Sequence, residues 1–195
     1  MKRYLLIVFL FVSTIVSAQV VNFGKTLPVG SFSLGVATSY NTETHVSDEG
    51  LSFMAFGGIG LAYSVDLNLK YSYHPLWDPT EVDQFGKHYI GVDVQYLFKE
   101  TRKSYFNIIG GMHYHDDFGF DLTGSYTYSP EFWISLTAGL DFDLMITDDL
   151  IFRAWIPLNA GVNLGNIVFL FFEYDLPATE EAWDIITLGA NLIIR

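Results

Sequence analysis

Residues 134–146 read Ile-Ser-Leu-Thr-Ala-Gly-Leu-Asp-Phe-Asp-Leu-Met-Ile. Ile134, Leu136, Ala138, Leu140, Phe142, Leu144 and Ile146 fall on one side of a period-two pattern, and Ser135, Thr137, Gly139, Asp141 and Asp143 on the other. A period of two is that of a β-strand whose faces meet different surroundings. The polar side tells which surroundings. A strand facing water would carry Lys and Glu there for solubility, whereas Ser, Thr, Gly and two Asp suit the crowded interior of a narrow barrel. The apolar side is then the outer side.

The same alternation runs through segments 31–40, 51–63, 67–74, 88–98, 104–115, 118–128, 151–163 and 184–194, while 167–176 is almost wholly apolar. With 132–146 these are ten candidate strands of roughly 8 to 15 residues, long enough for tilted strands to cross a bilayer. Short turns separate them at 64–66, 99–103, 129–131 and 164–166, and longer or more acidic segments at 41–50, 75–87 and 177–183. Aromatics gather near strand ends: Tyr40, Phe53, Tyr73, Tyr89, Tyr114 and Tyr174 toward one rim, Phe32, Tyr63, Phe98, Phe106 and Tyr128 toward the other. Two aromatic girdles around an aliphatic band belong to a membrane barrel. The expected fold is an all-β, antiparallel, up-and-down transmembrane barrel with a polar, mostly plugged interior. Ten strands are expected. Eight is the alternative, if 118–128 and a neighbour form an outer hairpin.

The start of the chain agrees with export. Lys2 and Arg3 precede a run of about a dozen apolar residues, and Val16 and Ala18 occupy the small-residue positions of a cleavage site. Residues 1–18 are expected to be a signal peptide and 19–195 a single barrel domain. Composition supports this: 50% of the chain is hydrophobic, 17% aromatic and only 16% charged, against about 25% charged in a soluble domain. A net charge of −12 argues against nucleic acid as a partner, and the absence of cysteine excludes a disulfide scaffold.

On this pattern, and on the junction Ser17-Ala18-Gln19, the chain resembles the small outer-membrane β-barrel proteins of Gram-negative bacteria, particularly of the Bacteroidota. It departs from the commonest ending of such barrels, a C-terminal Phe, by finishing Leu192-Ile193-Ile194-Arg195. The resemblance implies an outer-membrane location, with outer-membrane lipids, lipopolysaccharide and the barrel-assembly machinery as partners. Such families include pores, adhesins, envelope stabilisers and lipid-modifying enzymes, so it does not select a function.

The chemistry-bearing residues are few. His113 and His115 lie two apart, with Asp117 next in step, and could converge on a divalent cation near His74 at the outer mouth. The plainer alternative is a wet, polar mouth. Lys70, Asp93, Asp141, Asp143, Arg153 and Glu173 share the polar faces of their strands and are expected to pair across the lumen, because a lone buried charge is costly. An acid-lined cation pore is the alternative. Ser39, His74, His113 and Asp117 could form a hydrolase site on paper, but there is no Gly-x-Ser-x-Gly elbow. Gly57, Gly58 and Gly60, with Gly110 and Gly111, lead into no helix and read as kinks in curved strands. Residues 75–79, Pro-Leu-Trp-Asp-Pro, read as a rigid outer loop. The expected function is a non-enzymatic outer-membrane protein that stabilises the envelope or makes surface contacts through acidic outer loops. A narrow solute or cation channel is the rival; a lipid-modifying hydrolase and a soluble lipocalin-like carrier stand behind it. No cofactor is expected beyond a weak divalent cation at the outer mouth, where Glu43, Asp48, Glu49, Asp78, Glu81, Asp83, Asp116, Asp117, Glu180 and Glu181 form an acidic rim.

Overall fold

The computed structural model describes residues 25–41, 50–74, 87–115, 117–147, 150–165, 167–182 and 184–195. The signal-peptide reading, the 75–79 loop and the rim acids Glu43, Asp48, Glu49, Asp78, Glu81, Asp83 and Asp116 lie outside these residues.

Ten strands run in chain order: β1 (Phe32–Asn41), β2 (Gly50–Ala62), β3 (Val65–His74), β4 (Lys87–Glu100), β5 (Ser104–His115), β6 (Asp117–Tyr128), β7 (Ile134–Ile146), β8 (Leu150–Leu164), β9 (Val168–Pro177) and β10 (Ile185–Ile194). Each pairs antiparallel with its chain neighbours, and β1 closes on β10 from Phe32↔Ile194 to Asn41↔Ile185. The sheet therefore has no edge. The count is ten rather than eight, because segment 118–128 is a wall strand, pairing along its length with both β5 and β7.

An even number of strands brings both termini to one end. That end, called here the turn end, carries the connections after β2, β4, β6 and β8; the opposite, loop end carries those after β1, β3, β5, β7 and β9. The turns are built by local chemistry. Thr101 Oγ1 accepts the Ser104 backbone N–H at 3.0 Å, closing the β4–β5 turn. Gly165 takes φ +64° in the β8–β9 turn, where a side chain would be strained.

Polarity is inverted relative to a soluble protein. Leu34, Leu69, Leu122, Leu140 and Leu188 point outward and are more than half exposed, whereas Ser72, Asn107, Thr127, Glu173 and Thr187 point inward and are fully buried. A continuous apolar exterior of this extent is unstable against water and is stabilised by lipid. Strands of 10 to 15 residues also match the bilayer core. The barrel is a transmembrane one. Inside, hydroxyls and amides join strands pairwise: Thr127 to Thr137 at 2.8 Å, Thr187 to Ser39 at 3.1 Å, Asn159 to Glu173 at 3.0 Å.

Two expectations are corrected. Tyr89 is not part of an aromatic girdle; it lies in the lumen at 3% exposure, on the inward side with Gly91 and Asp93. The lumen is also not polar throughout. Met54, Phe56, Phe169 and Phe171 form a buried apolar cluster with Ala37. Glycines face the rings: a Cβ at Gly35 would strike Phe56, at Gly161 Phe169 and at Gly189 Phe171. Gly35 pairs with Phe56, while Gly161 and Gly189 both flank Phe171 in the ladder, so a missing side chain on one strand makes room for a ring from another.

Candidate functional site

The inner face of β4 to β8 carries a band of charge whose order follows from strand register. Asp93, Gly111, Asp121, Asp143 and Arg153 are successive partners across five strands. Lys70, on β3, forms a buried ion pair with Asp93. Alternation places all these side chains inside, and register puts them at one level. Buried carboxylates are tolerated only with partners, and the band provides cations at its two ends, Lys70 and Arg153.

His113 sits one step nearer the loop end, between Gly91 and Gly119 in the ladder. Gly119 leaves room for its ring and Gly91 for that of Tyr89, on which it stacks with centroids 5.1 Å apart and planes inclined by 22°. Its Nδ1 faces Asp121 Oδ2 at 3.8 Å and its Nε2 faces Asp143 Oδ1 at 3.4 Å. His113 thus bridges two strands' carboxylates within the lumen. Next along β7, Asp141 accepts the Thr123 hydroxyl at 2.6 Å. On β9, Glu173 accepts from Asn159, and Asp175 is buried beside it at 3% exposure.

Lys70, Asp93, Asp141, Asp143, Arg153 and Glu173 therefore share one lumen, with Lys70 and Asp93 in direct contact. Sequence reasoning omitted Asp121, Asp175 and His113 from this set. Alternation already placed Asp121 inward, but only register shows it to be the link between Asp93 and Asp143. His115 and Asp117 are ladder partners across the β5–β6 hairpin, while the His113 ring turns to Asp121 and Asp143. Among the described residues no three His, Cys, Asp or Glu side chains are grouped to hold a metal. Ser39 lies on β1, bonded to Thr187.

At the turn end, residues before β1 fold across the barrel mouth as a strap. The Leu27 N–H donates to Asp66 Oδ2 at 2.7 Å, Thr26 Oγ1 donates to the Tyr63 carbonyl at 3.0 Å, and Lys25 pairs with Glu100 at 2.6 Å. The Gly60 position lies directly against the Leu27 and Pro28 carbonyls, and this is what the glycine run in β2 accommodates. Beneath the strap lies a cavity of ≈ 420 Å³ lined by Leu27, Tyr105, Phe132, Ser135, Asn163 and Phe169 among others.

No family model matches the chain, and no curated protein matches it. Among solved structures it is similar to a de novo designed transmembrane β-barrel, with 12% identity over 87% of this chain and 99% of that one and a TM-score of 0.42. It is also similar to Ail, the attachment invasion locus protein of Yersinia pestis, with 13% identity over 86% of this chain and all of that one and a TM-score of 0.31. Neither level of similarity bears on what this chain does.

Proposed function

We propose that the protein is a non-enzymatic outer-membrane β-barrel that acts as a closed anchor, stabilising the envelope or making surface contacts through its loop end. The observation that carries this reading is the filled lumen. Trp155, Met54, Gln95 and Glu173 are among its largest fully buried side chains, the Phe cluster occupies one wall, and the strap lies over the turn-end mouth. A ten-stranded barrel has an interior that side chains can fill. The acidic residues of the loop end, Glu180 and Glu181 among them, would meet the cation-bridged lipopolysaccharide of the outer leaflet. Insertion would depend on the barrel-assembly machinery.

The rival reading, a cation channel, is favoured by the surplus of carboxylates along the lumen. Planar-bilayer recording separates the two. The anchor reading expects no steady conductance from the purified protein, together with increased detergent sensitivity in cells that lack it. Steady cation-selective openings that disappear in Asp141→Asn with Asp143→Asn would replace the anchor by the channel.

A further inference from the structure

Gly111 stands between Asp93 and Asp121 in the ladder, and with no side chain of its own it lets the two carboxylates meet. A Cβ built on Gly111 would lie 2.5 Å from Asp121 Oδ1, 2.7 Å from the Val92 carbonyl oxygen, and also against Asp93 Oδ1. Three oxygens from two strands thus converge on one notch. Asp93 and Asp121 are 1% and 7% exposed in their side chains, and neither Oδ1 has a hydrogen-bond partner. The other oxygens are engaged: Asp93 Oδ2 by Lys70, and Asp121 Oδ2 facing His113. Ionised carboxylates only accept hydrogen bonds, so two facing each other in a buried notch require something positive between them.

Charge balance points the same way. Asp93, Asp121, Asp143 and the neighbouring Asp141 share this part of the lumen with two permanent cations, Lys70 and Arg153, so the acids outnumber those cations by two. A proton shared by the two carboxyl groups would satisfy the pair without a cation, and titration with calcium separates the two. An all-oxygen donor set of two carboxylates and a carbonyl is that of a hard cation, and calcium tolerates such an irregular shell with water completing it. We propose that the notch over Gly111 binds one divalent cation of the calcium class, held by Asp93 Oδ1, Asp121 Oδ1 and the Val92 carbonyl, displaced from Gly111 toward the lumen axis. This inference stands whether the barrel is an anchor or a channel.

The test uses the full chain, refolded in detergent, stripped with a chelator and titrated with calcium chloride at constant ionic strength. The expected result is a saturable rise in melting temperature with one calcium bound per chain by calorimetry. Half-saturation should move upward by about tenfold or more in Asp121→Asn, since carboxylate count sets calcium affinity. It should move likewise in Gly111→Ala, which fills the notch but keeps both acids. Glu180→Gln with Glu181→Gln should leave it in place. Tyr89 stacks on His113, whose ring faces Asp121, so terbium bound in the notch should lose luminescence in Tyr89→Phe, a readout that survives if the other variants do not fold. Unchanged half-saturation in the variants overturns the site. So does a rise that never saturates and that matched sodium reproduces, or melting that responds to pH and not to calcium.

Discussion

Leu140 lies in the middle of β7, outward and 51% exposed, between the inward Gly139 and Asp141. If that face meets lipid, Leu140→Arg should lower folding stability in vesicles by about 2 to 4 kcal/mol, the cost of a guanidinium near the midplane. Equilibrium denaturation in urea measures it, and an unchanged midpoint would mean that water covers this face. The parity of each side chain was readable from the sequence because period two leaves only two choices. Tyr89 shows how a weaker signal overrode it. Its aromatic ring near a strand end suggested a girdle, but it is in step with Gly91, Asp93 and Gln95, and the structure follows the step. Partnership was less legible. The Asp93–Gly111–Asp121–Asp143–Arg153 row needs four strand registers, and a one-residue slip in any of them would break it.

Two elements departed from the simple pattern, each for a packing reason. In β9 the inward face is apolar in its first half, with Phe169 and Phe171 in step with Glu173 and Asp175; the two rings fit inside because glycines on the neighbouring strands leave room for them. Removing a ring from a packed core costs about 3 to 5 kcal/mol, so Phe171→Ala should destabilise the barrel by that order. Gly189→Val should also destabilise it by crowding the Phe171 ring and Ala37. The double variant should lose less than the sum of the two, since each change removes part of the other's harm; strict additivity in chemical denaturation would separate the glycine from the ring. The strap was not legible at all, because its segment has no period and is held by single polar contacts. Glu100 beside Lys25 holds the ammonium above the usual lysine value of 10.5. A raised cationic pKa means that the tie is fully present below the unfolded value and is lost as pH rises through the folded one. Lys25 is half exposed, so the tie is a modest one. Glu100→Gln should therefore speed trypsin cleavage after Lys25 by about twofold to fivefold at neutral pH. An equal rate in the two proteins would show that Leu27 and Asp66 hold the strap alone.

Closure of the whole molecule turns local parity into topology. With ten strands, both termini and four turns share one end, and the connection after β7 falls at the other; with eight, that connection would have changed sides. The charges divide accordingly. Lys25, Lys99, Arg102, Lys103 and Arg195 outnumber Glu100 and Glu131 at the turn end, whereas Glu180 and Glu181 lie at the loop end, where Lys87 begins β4. Positive charge on the turn end and acid on the loop end suit an orientation with the turns in the periplasm, where short turns are the rule for outer-membrane barrels. Exposed Lys99, Arg102 and Lys103 then become reporters of orientation. In intact cells trypsin should leave the β4–β5 turn uncut, and it should cut there once the outer membrane is permeabilised, as followed by mass spectrometry of the fragments. The permeabilised sample also guards against a turn too tight for the protease, because cleavage must appear in it. Cutting at Lys99, Arg102 or Lys103 before permeabilisation would invert the barrel, placing the strap and its cavity outside the cell and the acidic loop end in the periplasm.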